Sequence, residues 1–118
     1  MIAMIFEFTA SEQHFGEYMS EAAALRPLLS SIKGFISVER FESKTTPGKF
    51  VSIGFFEDES AMGEWRNLSE HRRVQKLGRA RLFENYRLRI ASVIRDYSMS
   101  DREQAPEDSK LAHSSRRD

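Results

Sequence analysis

The side chains able to move protons or grip a small molecule are concentrated between residues 65 and 89. His71 is the best proton carrier, since imidazole titrates near neutral pH. It sits where a helix restarts, and a helix N-terminus favours the neutral ring. Asn67 offers an amide that can orient an anionic oxygen through hydrogen bonds. Arg87 and Arg89 alternate on one face of a strand with apolar neighbours. An inward guanidinium there must pair with Glu39, with a second copy of the chain, or with something in a pocket. Tyr86, just before that strand, can donate a phenolic hydrogen bond. Each residue also has a plainer account. Asn67 serves as a cap near a helix break, His71 belongs to the polar run SEHRR, and Tyr86 is an amphipathic core aromatic.

The same stretch holds Arg66, Arg72, Arg73, Lys76, Arg79, Arg81, Arg87 and Arg89 against only Glu70 and Glu84. Such an excess suits an anionic substrate, a carboxylate or a phenolate, as well as it suits a solvated helix face. Over the whole chain, 18 basic residues balance 18 acidic ones, which gives no reason to expect nucleic acid or an anionic membrane as partner. Cysteine is absent, so disulfides, thiolate metal sites and cysteine nucleophiles are excluded together. The histidines, His14, His71 and His113, lack ligand spacing, and no resident metal or cofactor is expected. No phosphate loop, dinucleotide fingerprint, HExxH or nucleophile elbow occurs. The opening run to Phe8 carries Glu7 without a basic start, and reads as a strand rather than a leader. A cytoplasmic protein is expected.

The elements that must position these residues follow from periodicity. Ile2, Met4, Phe6 and Phe8 alternate with Ala3, Ile5, Glu7 and Thr9, a strand pattern. Thr9 to Glu12 reads as a capping box, with Ser11 a competing cap. A helix follows, carrying Phe15, Tyr18, Met19, Ala22, Leu25 and Leu29, with Pro27 loosening its last turns and Lys33-Gly34 stopping it. Phe35 to Glu42 and Phe50 to Glu57 form strands joined through Pro47-Gly48. Asp58 caps a second helix with Ala61, Met62, Trp65 and Leu68 on one side. That helix breaks near 68, restarts at Ser69 and ends at Gly78. Arg87 to Tyr97 is the last strand.

The order is β-α-β-β-α-β, an α+β ferredoxin-like domain with a four-stranded antiparallel sheet over residues 1–97. Residues 98–118 carry few apolar side chains and are expected to be a disordered tail. Both sheet faces are apolar: Phe50 and Phe56 oppose Val51, Ile53 and Phe55 on the third strand, and Phe35 and Phe41 oppose Ile36 and Val38 on the second. Two helices cover one face only. A second copy, sheet against sheet, is the economical cover for the other.

The segments IAMIFEF, AAALRPLL, GFISVERFES, PGKFVSIGFFEDESAMGEWRNLSEHRRVQ and GRARLFENYRLRIASVIRDY, spanning residues 2 to 97, resemble antibiotic-biosynthesis-monooxygenase domains. The resemblance implies a dimeric α+β barrel, and oxygenation of polyphenolic substrates by O2 with neither metal nor flavin. It also implies that Trp65 lines a pocket between helices and sheet, against the plainer account that Trp65, with Met62 and Leu68, is core. Haem-degrading relatives need an asparagine on the first strand and a histidine far beyond the tryptophan. Both are missing here.

Two functions remain in view. One is a cofactor-independent monooxygenase acting on an aromatic or quinol-like molecule. His71, Asn67 and Arg87 would do the chemistry, and Trp65, Tyr86, Arg89 and Phe6 would hold the substrate. The other is a homodimeric module that binds a small ligand without turning it over.

Overall fold

In a computed structural model, which describes residues 1–113, the first strand β1 (Ile2–Thr9) runs at the centre of the molecule. It pairs antiparallel on one side with β3 (Lys49–Phe56) and on the other with β4 (Asn85–Ser92). β2 (Phe35–Glu42) flanks β3, giving the order β2-β3-β1-β4. Helix α1 (Glu12–Ser30) follows β1, while α2 (Glu59–Asn67) and α3 (Ser69–Leu77) follow β3. One π-helical turn, Gly78–Leu82, connects α3 to β4. The expected β-α-β-β-α-β order is therefore present, with the second helix split in two.

Alternation along β1 decides what lies under the helices. Ile2 and Met4 join a core cluster with Leu25, Leu29, Phe56, Met62 and Trp65. Phe6 and Phe8 join a second cluster with Tyr18, Leu82 and Phe83. Phe8, Phe56 and Leu82 are the most deeply buried large side chains. Each stabilises the fold by about 2 kcal/mol through apolar area removed from water. The opposite side carries Ile5, Val51, Ile53 and Phe55, all only half-buried.

Several local signals resolve differently from expectation. Ser11, not Thr9, is the N-cap of α1, and it caps through an extended backbone without a side-chain bond; Thr9 stays in β1. Pro27 lies inside α1, whose last turn still closes, with residue 31 donating to the Pro27 carbonyl at 3.2 Å. Asp58 caps α2 as expected, accepting from the Ala61 amide at 2.8 Å. Gly78 is the C-cap that ends α3, as expected, and it also opens the π-turn. In β2 the register shifts between Phe35 and Ser37. Phe35 and Val38 thereby pack into the same helix-side cluster, where simple alternation opposes them.

β4 stops at Ser92, five residues before the expected end, with the Val93 amide still donating to the Met1 carbonyl at 3.0 Å. Beyond residue 97, where no structure is expected, the chain turns, buries Ala105 and forms a six-residue helix, α4 (Glu107–Ala112). Residues 114–118 of the expected tail lie outside the described residues. Among the described residues, no helix is long and apolar enough to cross a membrane.

Candidate functional site

Trp65 lies on the inner face of α2, in the core cluster, and is 5% exposed. The chain turns at Leu68, whose ψ of 133° leaves the helical region, and α3 begins at once. That turn folds His71 back over Trp65. The rings stack with centroids 3.9 Å apart and planes 20° from parallel. His71 Nδ1 lies 2.9 Å from the Trp65 carbonyl oxygen. A carbonyl only accepts, so this contact places the ring proton on Nδ1 and leaves Nε2 as the basic nitrogen. Burial pushes the His71 pKa below its ordinary value, against the pull of the Trp65 carbonyl, and the nearby Arg72 charge lowers it further. His71 is thus a neutral base near pH 7.

A hydrogen-bonded clasp holds this arrangement across the α2–α3 break. Asn67 Nδ2 donates to the Gly63 carbonyl at 2.9 Å, and its Oδ1 accepts from Arg72 at 2.7 Å. Arg72 also donates to Gln75 Oε1 at 2.9 Å. Gln75 Nε2 donates to the Arg66 carbonyl at 3.2 Å and lies 3.3 Å from His71 Nδ1. Arg72, which composition reads as a solvated charge, therefore locks the α2–α3 turn. Gln75 carries no signal in the sequence beyond its helical spacing from His71.

The second group of expected residues meets on β4. Register sets Phe8 opposite Tyr86, Phe6 opposite Leu88 and Met4 opposite Ile90, so all six lie on the helix side of the sheet. The Phe6 and Tyr86 rings are 5.6 Å apart, and Phe83 packs edge-on to Phe6 at 5.4 Å. Arg79, on the π-turn, donates to the Tyr86 hydroxyl with its guanidinium 5.7 Å from that ring. β4 is exposed at every position, including Leu88 at 49% and Ile90 at 41%. An open trough with an aromatic wall therefore runs along β4 on the helix side.

Arg87 and Arg89 lie on the opposite side of β4, where Arg89 pairs with Glu7 at 3.2 Å. The partner of Arg89 is Glu7, across the strand pair, not Glu39. The expected set thus divides into Trp65, Asn67 and His71 at the α2–α3 turn, Phe6 and Tyr86 on the trough wall, and the two arginines on the outer sheet face. Arg79 and Phe83 are the trough residues the sequence did not single out. Their only signal is that Arg79 sits in the basic stretch and that Phe83 leads into the last strand. Among the described residues, no three histidine or acidic side chains converge as a metal site.

Residues 1–77 match the family described as antibiotic biosynthesis monooxygenase. The chain is 38% identical over 93 residues to a Pyricularia oryzae protein named jasmonate monooxygenase ABM, covering 79% of this chain but 43% of that one. It is 29% identical to YqjZ of Bacillus subtilis, over 79% of each chain. The chain therefore spans less than half the length of the fungal relative. Among solved structures, Rv0793 of Mycobacterium tuberculosis superposes with a TM-score of 0.72 at 15% identity, covering 82% of this chain and 98% of that one. SnoaB of Streptomyces nogalater, a cofactor-independent oxygenase solved as a mutant, superposes with a TM-score of 0.69 at 15% identity, over 80% of this chain and 94% of that one. At such identities these two likenesses concern the fold alone.

Proposed function

The chain belongs to the antibiotic biosynthesis monooxygenase family, and on that footing we propose that it oxygenates an aromatic, quinol-like small molecule with O2, without metal or organic cofactor, as a homodimer. The observation that carries this reading is the open aromatic trough along β4, in a chain that also holds a half-buried histidine at the α2–α3 turn with Nε2 as its basic nitrogen. Phe6, Phe83 and Tyr86 offer ring faces to a planar substrate. His71 Nε2 takes a proton from an activated ring CH2 or hydroxyl. The resulting carbanion or phenolate gives one electron to O2, and the substrate radical combines with superoxide. The peroxide anion takes that proton back from His71 and loses water, so one oxygen atom stays in the product as a carbonyl and the other leaves as water. The protein's part is to take the proton and return it to the peroxide.

The second copy follows from the outer sheet face. Ile5, Val51, Ile53 and Phe55 form a half-buried apolar row there, and Phe41 beside them is 45% exposed. A row of that kind on a sheet is covered most economically by the same row of a partner related by twofold symmetry.

The decisive measurement is O2 uptake with a panel of anthrone-like and quinol substrates, compared with the protein-free rate. Uptake that depends on protein and falls at least tenfold in His71→Gln supports the reading. Equal decay with and without protein overturns it. One arrangement favours a non-catalytic ligand-binding dimer instead: Asn67 is already satisfied by Gly63 and Arg72, and Arg87 lies across the sheet from the trough. Saturable binding with no turnover, unchanged in His71→Gln, would establish that alternative.

A further inference from the structure

We propose that the corner between the π-turn and β4 binds the carboxylate of a small apolar or aromatic ligand, with Arg79 as its anchor. This names the charge of the substrate in the site proposed above, and its link to catalysis rests on that reading; the binding itself does not. The corner is a cleft of about 460 Å³ lined by Arg79, Phe83, Glu84, Asn85 and Tyr86. Cavities of that size hold one- or two-ring molecules.

Among the described residues, no carboxylate lies within ion-pair reach of the Arg79 guanidinium. Arg73, Arg81 and Arg89 each have a carboxylate within ion-pair reach. Arg79 instead donates to the Tyr86 hydroxyl, a neutral partner that leaves most of its donors unused. Asn85 Oδ1 accepts from the Tyr86 amide at 2.9 Å, so the Nδ2 group of the same side chain remains as a second donor at the cleft. Phe83 and Phe6 continue the wall from Tyr86, as an apolar body attached to the bound anion would require.

The backbone is bent to make this corner. The Phe83 amide donates to the Gly78 carbonyl at 3.1 Å, the i to i+5 bond of a π-turn. A Cβ on residue 78 would stand 2.6 Å from Phe83 Cε2, so the ring seats there because residue 78 is glycine. Single π-turns are rare and frequently occur at functional sites. This one carries Arg79 onto Tyr86. Glu84 lines the same cleft and opposes an anion, which predicts that removing its charge strengthens binding.

The test is an NMR titration of the full chain at low salt with 2-naphthoate and with 2-naphthamide, which share a ring system and differ in charge. The carboxylate is expected to bind about tenfold more tightly than the amide, as one charge-assisted bidentate contact implies. Amide shifts should centre on Asn85 and Tyr86. Arg79→Gln should abolish the difference, Arg79→Lys should keep part of it, and Glu84→Gln should enhance carboxylate binding alone. Arg79 is exposed, so its substitution leaves the fold intact, and spectra away from the corner verify this. Equal binding of the two probes, or a carboxylate preference that survives Arg79→Gln, overturns the proposal. O2 uptake with a neutral quinol tests the catalytic reading separately, so either can fail while the other stands.

Discussion

The imidazole of His71 lies flat on the indole of Trp65, 3.9 Å between centroids, with its Nδ1 turned to the tryptophan's own carbonyl. One residue thus supplies both the surface that buries the histidine and the acceptor that fixes its tautomer. Because Trp65 is the single tryptophan, its emission reports on this contact alone. An imidazolium stacked on indole quenches its fluorescence, so acidification should dim Trp65 with a midpoint below the ordinary histidine value of about 6.5. In His71→Gln the transition should vanish. A midpoint above 6.5 would contradict the burial of the neutral ring.

The same depressed pKa has a consequence for stability. The unfolded chain takes up a proton near pH 6.5 while the folded chain resists it. Stability from neutral His71 is therefore fully present above about pH 6.5, and is lost as pH falls from there through the folded pKa. Urea midpoints measured from pH 8 to pH 5 should decline more steeply for the native chain than for His71→Gln. Parallel curves would remove His71 from the account.

Arg72 joins Asn67 to Gln75 across the α2–α3 turn. Arg72→Ala should cost about 1 kcal/mol of stability, as expected for exposed charge-assisted hydrogen bonds. It should also raise the midpoint of the Trp65 fluorescence transition, because a nearby positive charge is gone. Arg72→Lys should retain the midpoint while losing the simultaneous bonds to Asn67 and Gln75.

On the outer sheet face, Ile53→Glu should convert a dimer to a monomer in sedimentation velocity. The introduced carboxylate sits amid Ile5, Val51 and Phe55, where a partner sheet would leave it desolvated and unpaired. Retention of the dimer in this variant would place the interface elsewhere.

Two glycines separate backbone strain from crowding. Gly34 has φ +94° and a Cβ there would lie 2.8 Å from Ala61 Cβ, while Gly48 has φ +79° with open space around it. Gly48→Ala should cost about 1 kcal/mol from conformation alone. Gly34→Ala should cost roughly 2–4 kcal/mol, adding the overlap to that strain. Equal losses in denaturant titrations would show that the α2 packing yields.

The sheet was legible because its signals are local. Alternation in β1, the Asp58 cap and Gly34 each determine a boundary from a few neighbouring residues. What escaped the sequence depends on contacts between distant residues. The bulge at Phe35 and Ser37 reverses which side chains share a face, and period-2 counting cannot see an inserted residue. Gly78 reads as a stop, yet it is glycine because Phe83 needs the space. Arg87 and Arg89 are correctly placed on one face, but only the register with Glu7 shows that this face lies away from the trough. For Trp65 and His71 the residue types are visible in the sequence, whereas their stacking is created by the single non-helical residue Leu68.

The position of β1 also governs how the chain can assemble. Its partners at Ile2 are Phe56 on one edge and Ser92 on the other, so β1 is fully paired only once β4, the last strand of the sheet, is in place. Such long-range pairing slows folding, because loop closure must precede any gain from contact. Until residue 92 leaves the ribosome, one edge of β1 and the ring of Phe6 stay open to other chains. A chain cut short before β4 keeps that edge permanently open, and aggregation rather than a smaller working domain is the expected fate.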